Sequence, residues 1–263
     1  MAFLCGAPGA GKSHFVRQVS ERWPAAVQVF SNDLQPDLYF LRDGKVIFHP
    51  TDNPEGRFDF QWFQRNVLWP GARQFRTALR GSEPALLLMD DTNTVLKDCV
   101  EKLSLALKAG VPLSHVGWFV QDQGKPENEE VEFLEARQHL RHDTFWARVE
   151  RGEGPHPSDG KMVPMDTIRK FVRRLRGTFF ENGELRSFTD AFLMQQVQAF
   201  RDKEEKRFRD NEQRRGSSVQ ASAPSPRAGG GKHVYPLDQL IPWLEATLGA
   251  TADSKRCVAF LCG

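Results

Sequence analysis

At 263 residues the chain can bury one core with a small appendage, and 40% hydrophobic with 27% charged residues is an ordinary globular composition. The formal net charge of +2 is too small to demand a polyanionic partner, and no apolar run approaches the ~18–20 residues of a membrane span. Cys5, Cys99, Cys257 and Cys262 have no spacing that suggests zinc or a disulfide framework, so they read as thiols of an intracellular protein, in cytoplasm or nucleus.

Met1–Gly6 is apolar without a basic leader region, and Ala2–Cys5 reads as a short buried strand rather than a signal peptide. Lys12–Trp23 has helical spacing, and Ala25–Ser31 alternates as a strand with Asn32 and Asp33 just beyond it. Asp37–Asp59 is polar and aromatic, with turn pairs at Asp43-Gly44, His49-Pro50 and Asn53-Pro54. Phe60–Arg80 reads as a helix perturbed at Pro70-Gly71. Ala85–Met89 is an apolar strand ending in Asp90-Asp91-Thr92-Asn93, Leu96–Ala109 an amphipathic helix stopped by Gly110, and Ser114–Val120 another strand. Strands alternating with helices imply a parallel α/β sheet.

Beyond it, Glu129–Arg141 reads as a helix, followed by an arginine-bearing stretch and the loop Gly152–Lys161. Pro164 is placed to open a helix through Arg176, because its missing N–H costs nothing there. Leu185–Arg215 reads as one long charged helix, 216–232 as a Ser/Pro/Gly-rich flexible linker, and 233–263 as a helix plus a strand. Residues 1–180 are thus expected to form the main domain, with a helical lid and a helical C-terminal extension.

Gly6, Ala7, Pro8, Gly9, Ala10, Gly11, Lys12 and Ser13 match G-x-x-x-x-G-K-[ST] between a strand and a helix. Glycines let successive N–H groups turn toward phosphate oxygens at a helix N-terminus. Lys12 suits the β- and γ-phosphates of ATP, and Ser13 offers its hydroxyl to Mg2+. Two carboxylate clusters, Asn32-Asp33 and Asp90-Asp91, stand at strand ends, where functional groups of parallel sheets collect. Such a pair can serve as general base toward a hydroxyl and as metal-organising group, or simply cap turns.

With Ser31-Asn32-Asp33 and Asp90-Asp91-Thr92-Asn93, the glycine motif resembles the kinase domain of phage-type polynucleotide 5′-kinases and their eukaryotic P-loop counterparts. The resemblance extends to Gly44-Lys45-Val46-Ile47-Phe48, Trp62, Gln64 and Val163-Pro164, and spans roughly residues 1–176 by motif spacing. It implies a P-loop kinase fold, ATP and Mg2+ as cofactors, and Asp33 as the base for a 5′-hydroxyl. Asp91 or Asp90 would orient the acceptor or a metal-bound water, with Ser13 and Asp90 toward the metal. Arg148 and Arg151 would be lid arginines on the ATP phosphates. His14 follows Ser13 where the family often has threonine, and Leu34-Gln35-Pro36 stands where an arginine often follows the base. Asp37 remains an alternative base.

Arg169, Lys170, Arg173, Arg174 and Arg176 crowd one predicted helix with only Asp166 in opposition, while Phe171 and Leu175 can face the core. The patch suits a nucleic-acid backbone or is a solvated face. His139 and His142 lack a third metal ligand. The expectation is phosphoryl transfer to the 5′-hydroxyl of a polynucleotide; a small-molecule kinase and a non-catalytic nucleotide switch are the alternatives.

Ala2-Phe-Leu-Cys-Gly6 recurs as Ala259-Phe-Leu-Cys-Gly263. The repetition reads as a piece of a tandem array or a rearranged chain. The first copy is covalently joined to the glycine motif, so it should supply the central strand. The second copy and its preceding helix are expected to be loosely held, with little stability lost on their removal.

Overall fold

The computed structural model describes residues 2–24, 26–81, 86–213, 233–249 and 259–262. The expected linker lies outside these residues. The architecture is α/β, with parallel sheets flanked by helices.

Strand β1 (Ala2–Gly6) leads into helix α1 (Lys12–Arg22), followed by β2 (Val27–Phe30). A hairpin, β3 (Tyr39–Arg42) and β4 (Lys45–Phe48), then rises from the stretch expected to be turns. Its Asp43-Gly44 corner has φ of 52° and 68°, the pair of left-handed residues that a type I′ turn requires. The expected helix 60–80 is interrupted: α2 (Phe60–Phe63) and α3 (Trp69–Leu79) flank a π-helical turn at Gln64–Leu68. Pro70 explains the break, since it has no N–H for the carbonyl one turn earlier.

Strand β5 (Leu86–Met89), helix α4 (Leu96–Lys108) and strand β6 (Gly117–Gln121) follow. Helix α5 runs unbroken over Glu127–Glu150, well beyond the expected end at Arg141. Helix α6 (Met165–Phe179) opens after Pro164 as expected. A small hairpin, β7 (Phe180–Glu181) with β8 (Glu184–Leu185), turns at Asn182-Gly183 and shortens the next helix, α7, to Asp190–Gln213. Strand β9 (Val234–Pro236), helix α8 (Leu240–Gly249) and strand β10 (Ala259–Cys262) complete the described chain.

The sheets run β9-β6-β1 and β10-β5-β2, all strands parallel, and they meet at the two Ala-Phe-Leu-Cys copies. Alternation along β1 sends Phe3 and Cys5 to one face and Ala2 and Leu4 to the other. The first face packs with Leu87, Met89 and Trp118 against α3, α4, α6 and α7; Phe3 stacks on Trp118 with ring centres 4.7 Å apart. The second packs with Leu86, Leu88 and Phe119 against α1 and α8.

The expectation of a loosely held C-terminal segment is corrected here. Val234, Leu237, Leu240 and Leu244 are fully or almost fully buried, and β9 extends the sheet beside β6. His233 is buried too, its ring nitrogens bonded to the Val116 carbonyl at 2.8 Å and Asp190 at 2.6 Å. Strand β10 pairs in register with β5, whose four residues are buried on both faces. A small third cluster joins Ala7 and Ala10 to Val131 and Leu134 of α5 and to Ile168 and Val172 of α6. It fixes α5 directly over the glycine-rich loop.

Candidate functional site

The loop begins where β1 ends at Gly6 and closes as α1 begins at Lys12. Gly9 and Gly11 hold φ of 85° and 97°, a region that L side chains rarely enter. Space excludes a side chain as well. A Cβ on Gly9 would lie 2.8 Å from the Leu134 carbonyl oxygen, and one on Gly11 would lie 2.9 Å from the Arg137 guanidinium.

Lys12 folds its ammonium back over the loop, donating to the carbonyls of Gly6 at 2.9 Å and Ala7 at 3.1 Å. Burial pulls its pKa down, against the opposing pull of the Asp90 carboxylate. Ser13 Oγ donates to Asp90 Oδ2 at 3.3 Å, across from the end of β5. Burial pushes the Asp90 carboxyl up, opposed by Lys12 and reinforced by Asp91. His14 is exposed and touches only Phe15 edge-on, among the described ring contacts.

The ends of β2 and β5 are laced together. Ser31 Oγ donates to the Asp90 carbonyl at 2.9 Å, and the Asn32 N–H donates to Asp91 Oδ1 at 3.0 Å. Lys102 of α4 donates to Asp91 Oδ2 at 2.8 Å. Asp91 therefore holds the short helical turn Asn32–Leu34 that carries Asp33. Asp33 accepts from Tyr39 Oη at 3.3 Å and pairs with the ammonium of Lys161. Asp37 is exposed on a residue with φ of 63°, outside these contacts.

Arg148 and Arg151 are not brought to the loop. Both pair with Glu153 on an exposed surface, at 2.9 and 2.7 Å. Arg148 shares a helix face with Arg137 but sits ~16 Å further along the axis. Arg137, not Arg148 or Arg151, comes to the loop. Arg137 donates to the Ala10 carbonyl at 3.4 Å, and partly buried Arg141 donates to the Lys161 carbonyl at 2.8 Å. The missed signal was the length of α5: with no breaker after Arg141, an earlier arginine, Arg137, meets the loop.

The arginines of α6 meet acids from outside their own helix. Its core stripe is Ile168, Val172, Leu175 and Phe179, with Phe171 only partly buried. Arg169 and Arg173 pair with Glu127, and Arg176 with Asp122 and the buried Glu130. Lys170 and Arg174 remain exposed.

A cleft of about 990 Å3 opens beside the strand ends and is bounded by α3, α4 and α7. Asn32 and Asp91 stand in its wall, and Trp69 is half exposed there. Six cations and four carboxylates line it, the cations including Arg73, Arg76, Lys203 and Arg207. Among the described residues, no group of three His, Cys, Asp or Glu could hold a metal, and no helix is long and apolar enough to cross a membrane. Comparison with protein-family models, curated proteins and solved structures found no match to this chain.

Proposed function

We propose that the chain is a P-loop kinase that transfers the γ-phosphate of ATP to a hydroxyl, the 5′-hydroxyl of a polynucleotide. The observation that carries this reading is the Ser13–Asp90 contact beside a loop in which neither Gly9 nor Gly11 has room for a side chain. A hydroxyl and a carboxylate are hard oxygen donors. They fit Mg2+, which Ser13 and Asp90 would hold. When bound there, the metal supplies neutralisation of charge shared by the β- and γ-phosphates.

The chain's own residues account for the rest. The loop N–H groups and Lys12 bind phosphate, and Arg137 and Arg141 add charge from α5. Asp33 accepts the proton of the attacking hydroxyl as its oxygen bonds to the γ-phosphorus. The bond from that phosphorus to the bridging oxygen breaks, and its electron pair leaves with the nucleoside diphosphate. Asp91 orients Asp33 through the Asn32 N–H.

Support for a polynucleotide acceptor shifts from α6, whose arginines are largely paired, to the cleft. An exposed tryptophan beside arginines and lysines suits a stacked, negatively charged single strand. A small hydroxyl acceptor is the second reading, favoured by the four carboxylates in the same lining. A transfer screen with γ-labelled ATP against 5′-hydroxyl oligonucleotides, nucleosides and sugars separates the two. Label on oligonucleotides alone supports the first reading, and label on nucleosides or sugars alone overturns it.

A further inference from the structure

Sequence spacing gives no reason to single out Lys161, yet its ammonium stands in the middle of the site. The chain leaves α5, turns through Pro157–Gly160 and is then fastened back onto that helix. His142 Nδ1 bonds to the Gly160 carbonyl at 2.7 Å, and the other ring nitrogen accepts from the Trp146 indole at 3.0 Å. Arg141 donates to the Lys161 carbonyl at 2.8 Å, and the Val163 N–H donates to Gln138 at 3.0 Å. Gly160 lies so close to Phe145 that a Cβ would run into the ring. This much fastening delivers one side chain to a fixed place.

That side chain pairs with Asp33 and lies 5.4 Å from the centre of the Tyr39 ring, whose hydroxyl bonds the other carboxylate oxygen. Lys161 is 17% exposed. Burial brings its ammonium down to about 7, and the charge of Lys12 adds to the effect, while Asp33 favours the charged form. Arg141 adds a third cation on the same side. Lys161 thus pairs with Asp33 and feels the charge of Lys12, which in turn feels Arg141, Asp90 and Asp91.

We propose that Lys161 is a further catalytic residue, whose ammonium is parked on the base Asp33 and passes to the phosphoryl group drawn in by Lys12. This rests on the kinase reading above. Two lysines largely withdrawn from water and near each other are stabilised by an anion between them, and the transferring phosphate is such an anion. As Lys161 turns toward it, the second oxygen of Asp33 becomes available to the acceptor hydroxyl. The hydroxyl proton passes to Asp33 while the new oxygen–phosphorus bond forms and the bridging bond breaks. Lys161 keeps its own proton and offsets charge on the phosphoryl oxygens.

The test uses the full chain with γ-labelled ATP, Mg2+ and a 5′-hydroxyl oligonucleotide, comparing wild type, Lys161→Met and Lys161→Arg, with melting curves as a folding control. Lys161→Met should lower kcat by about 10²–10³-fold and change the KM for ATP far less. The wild-type rate should fall on the alkaline side as Lys161 loses its proton. Lys161→Arg should keep much of the rate and lose that fall, because a guanidinium does not titrate there. A second readout needs no turnover. Acetylation of Lys161 by acetic anhydride, followed by mass spectrometry on wild type, should slow several-fold with Mg2+ and β,γ-methylene ATP. Wild-type kcat and pH profile in Lys161→Met, in a chain that Lys12→Ala inactivates, overturn the proposal. So does acetylation unaffected by the analogue. A folded wild type that transfers nothing overturns the kinase reading itself, and this inference with it.

Discussion

Replacing Leu240 with alanine tests whether the segment after residue 232 is part of the core. Leu240 is 0% exposed and packs in one cluster with Val19, Phe119, Leu237 and Leu244. Truncating a buried leucine costs about 2–5 kcal/mol, the upper end applying where neighbours cannot collapse. Phe119 sits on a central strand between β1 and β9, so little collapse is available. Removing the whole segment exposes the partners of Val234, Leu237, Leu240 and Leu244. At about 1.5–3 kcal/mol for each side chain, the loss is roughly 6–12 kcal/mol. A domain is typically stable by only about 5–15 kcal/mol, so a chain ending at residue 232 should fail to fold cooperatively. Urea titration followed by circular dichroism measures both variants. An unchanged midpoint in Leu240→Ala, or a truncated chain that melts like the full one, would refute the packing argument.

Gly9→Ala should weaken binding of a fluorescent ATP analogue at least tenfold, because a left-handed backbone alone costs about 1–2 kcal/mol and the new Cβ meets the Leu134 carbonyl; undiminished affinity would remove the loop's strict geometry from the account. Arg137→Ala should depress transfer while Arg148→Ala leaves it near wild type, and the reverse ranking in a rate assay would restore Arg148 to the site. Asp33→Asn should slow transfer by about 10²–10⁴-fold with nucleotide affinity retained, whereas Asp37→Asn should not; the opposite pattern would make Asp37 the base. Burial and the nearby Asp122 raise the Glu130 carboxyl to about 7 from 4.5, against the pull of Arg176. The folded state then holds the Glu130 proton more tightly than the unfolded one, so this group's contribution to stability falls as pH rises from 4.5 toward 7. Thermal melting of Glu130→Gln should show a weaker pH dependence in that window, and parallel curves for the two proteins would contradict it.

The alternation of strands and helices was readable because each early element carries its own local signal. Ala2–Cys5 and Leu86–Met89 are unbroken apolar runs, and Gly110 and Pro164 mark helix boundaries. The hairpin at Tyr39–Phe48 was also readable, since Asp43-Gly44 between two apolar runs is a strong turn signal, but the surrounding turn residues masked it. Strand β9 has three residues, ends in a proline, and exists only because β6 offers it an edge. For the site, the glycine loop and the two carboxylate clusters lie at strand ends that local sequence defines. The α5 arginines differ in kind, because which of them meets the loop depends on how far that helix slides past it. The acids that answer α6 come from Asp122, Glu127 and Glu130, which lie far along the chain from their arginine partners, 46 residues between Glu127 and Arg173 and 54 between Asp122 and Arg176. Lys161 reaches Asp33 across 128 residues, a distance at which no periodicity speaks.

The measurement closest to the central claim follows the phosphate to its final atom. The 263-residue chain is incubated with γ-labelled ATP, Mg2+ and a 5′-hydroxyl oligonucleotide, and the product is digested to 5′-mononucleotides. The account predicts label on the 5′-terminal nucleotide alone, absent with Lys12→Ala protein that remains folded by circular dichroism. Label released only as inorganic phosphate, or equal labelling by the Lys12→Ala variant, would contradict it.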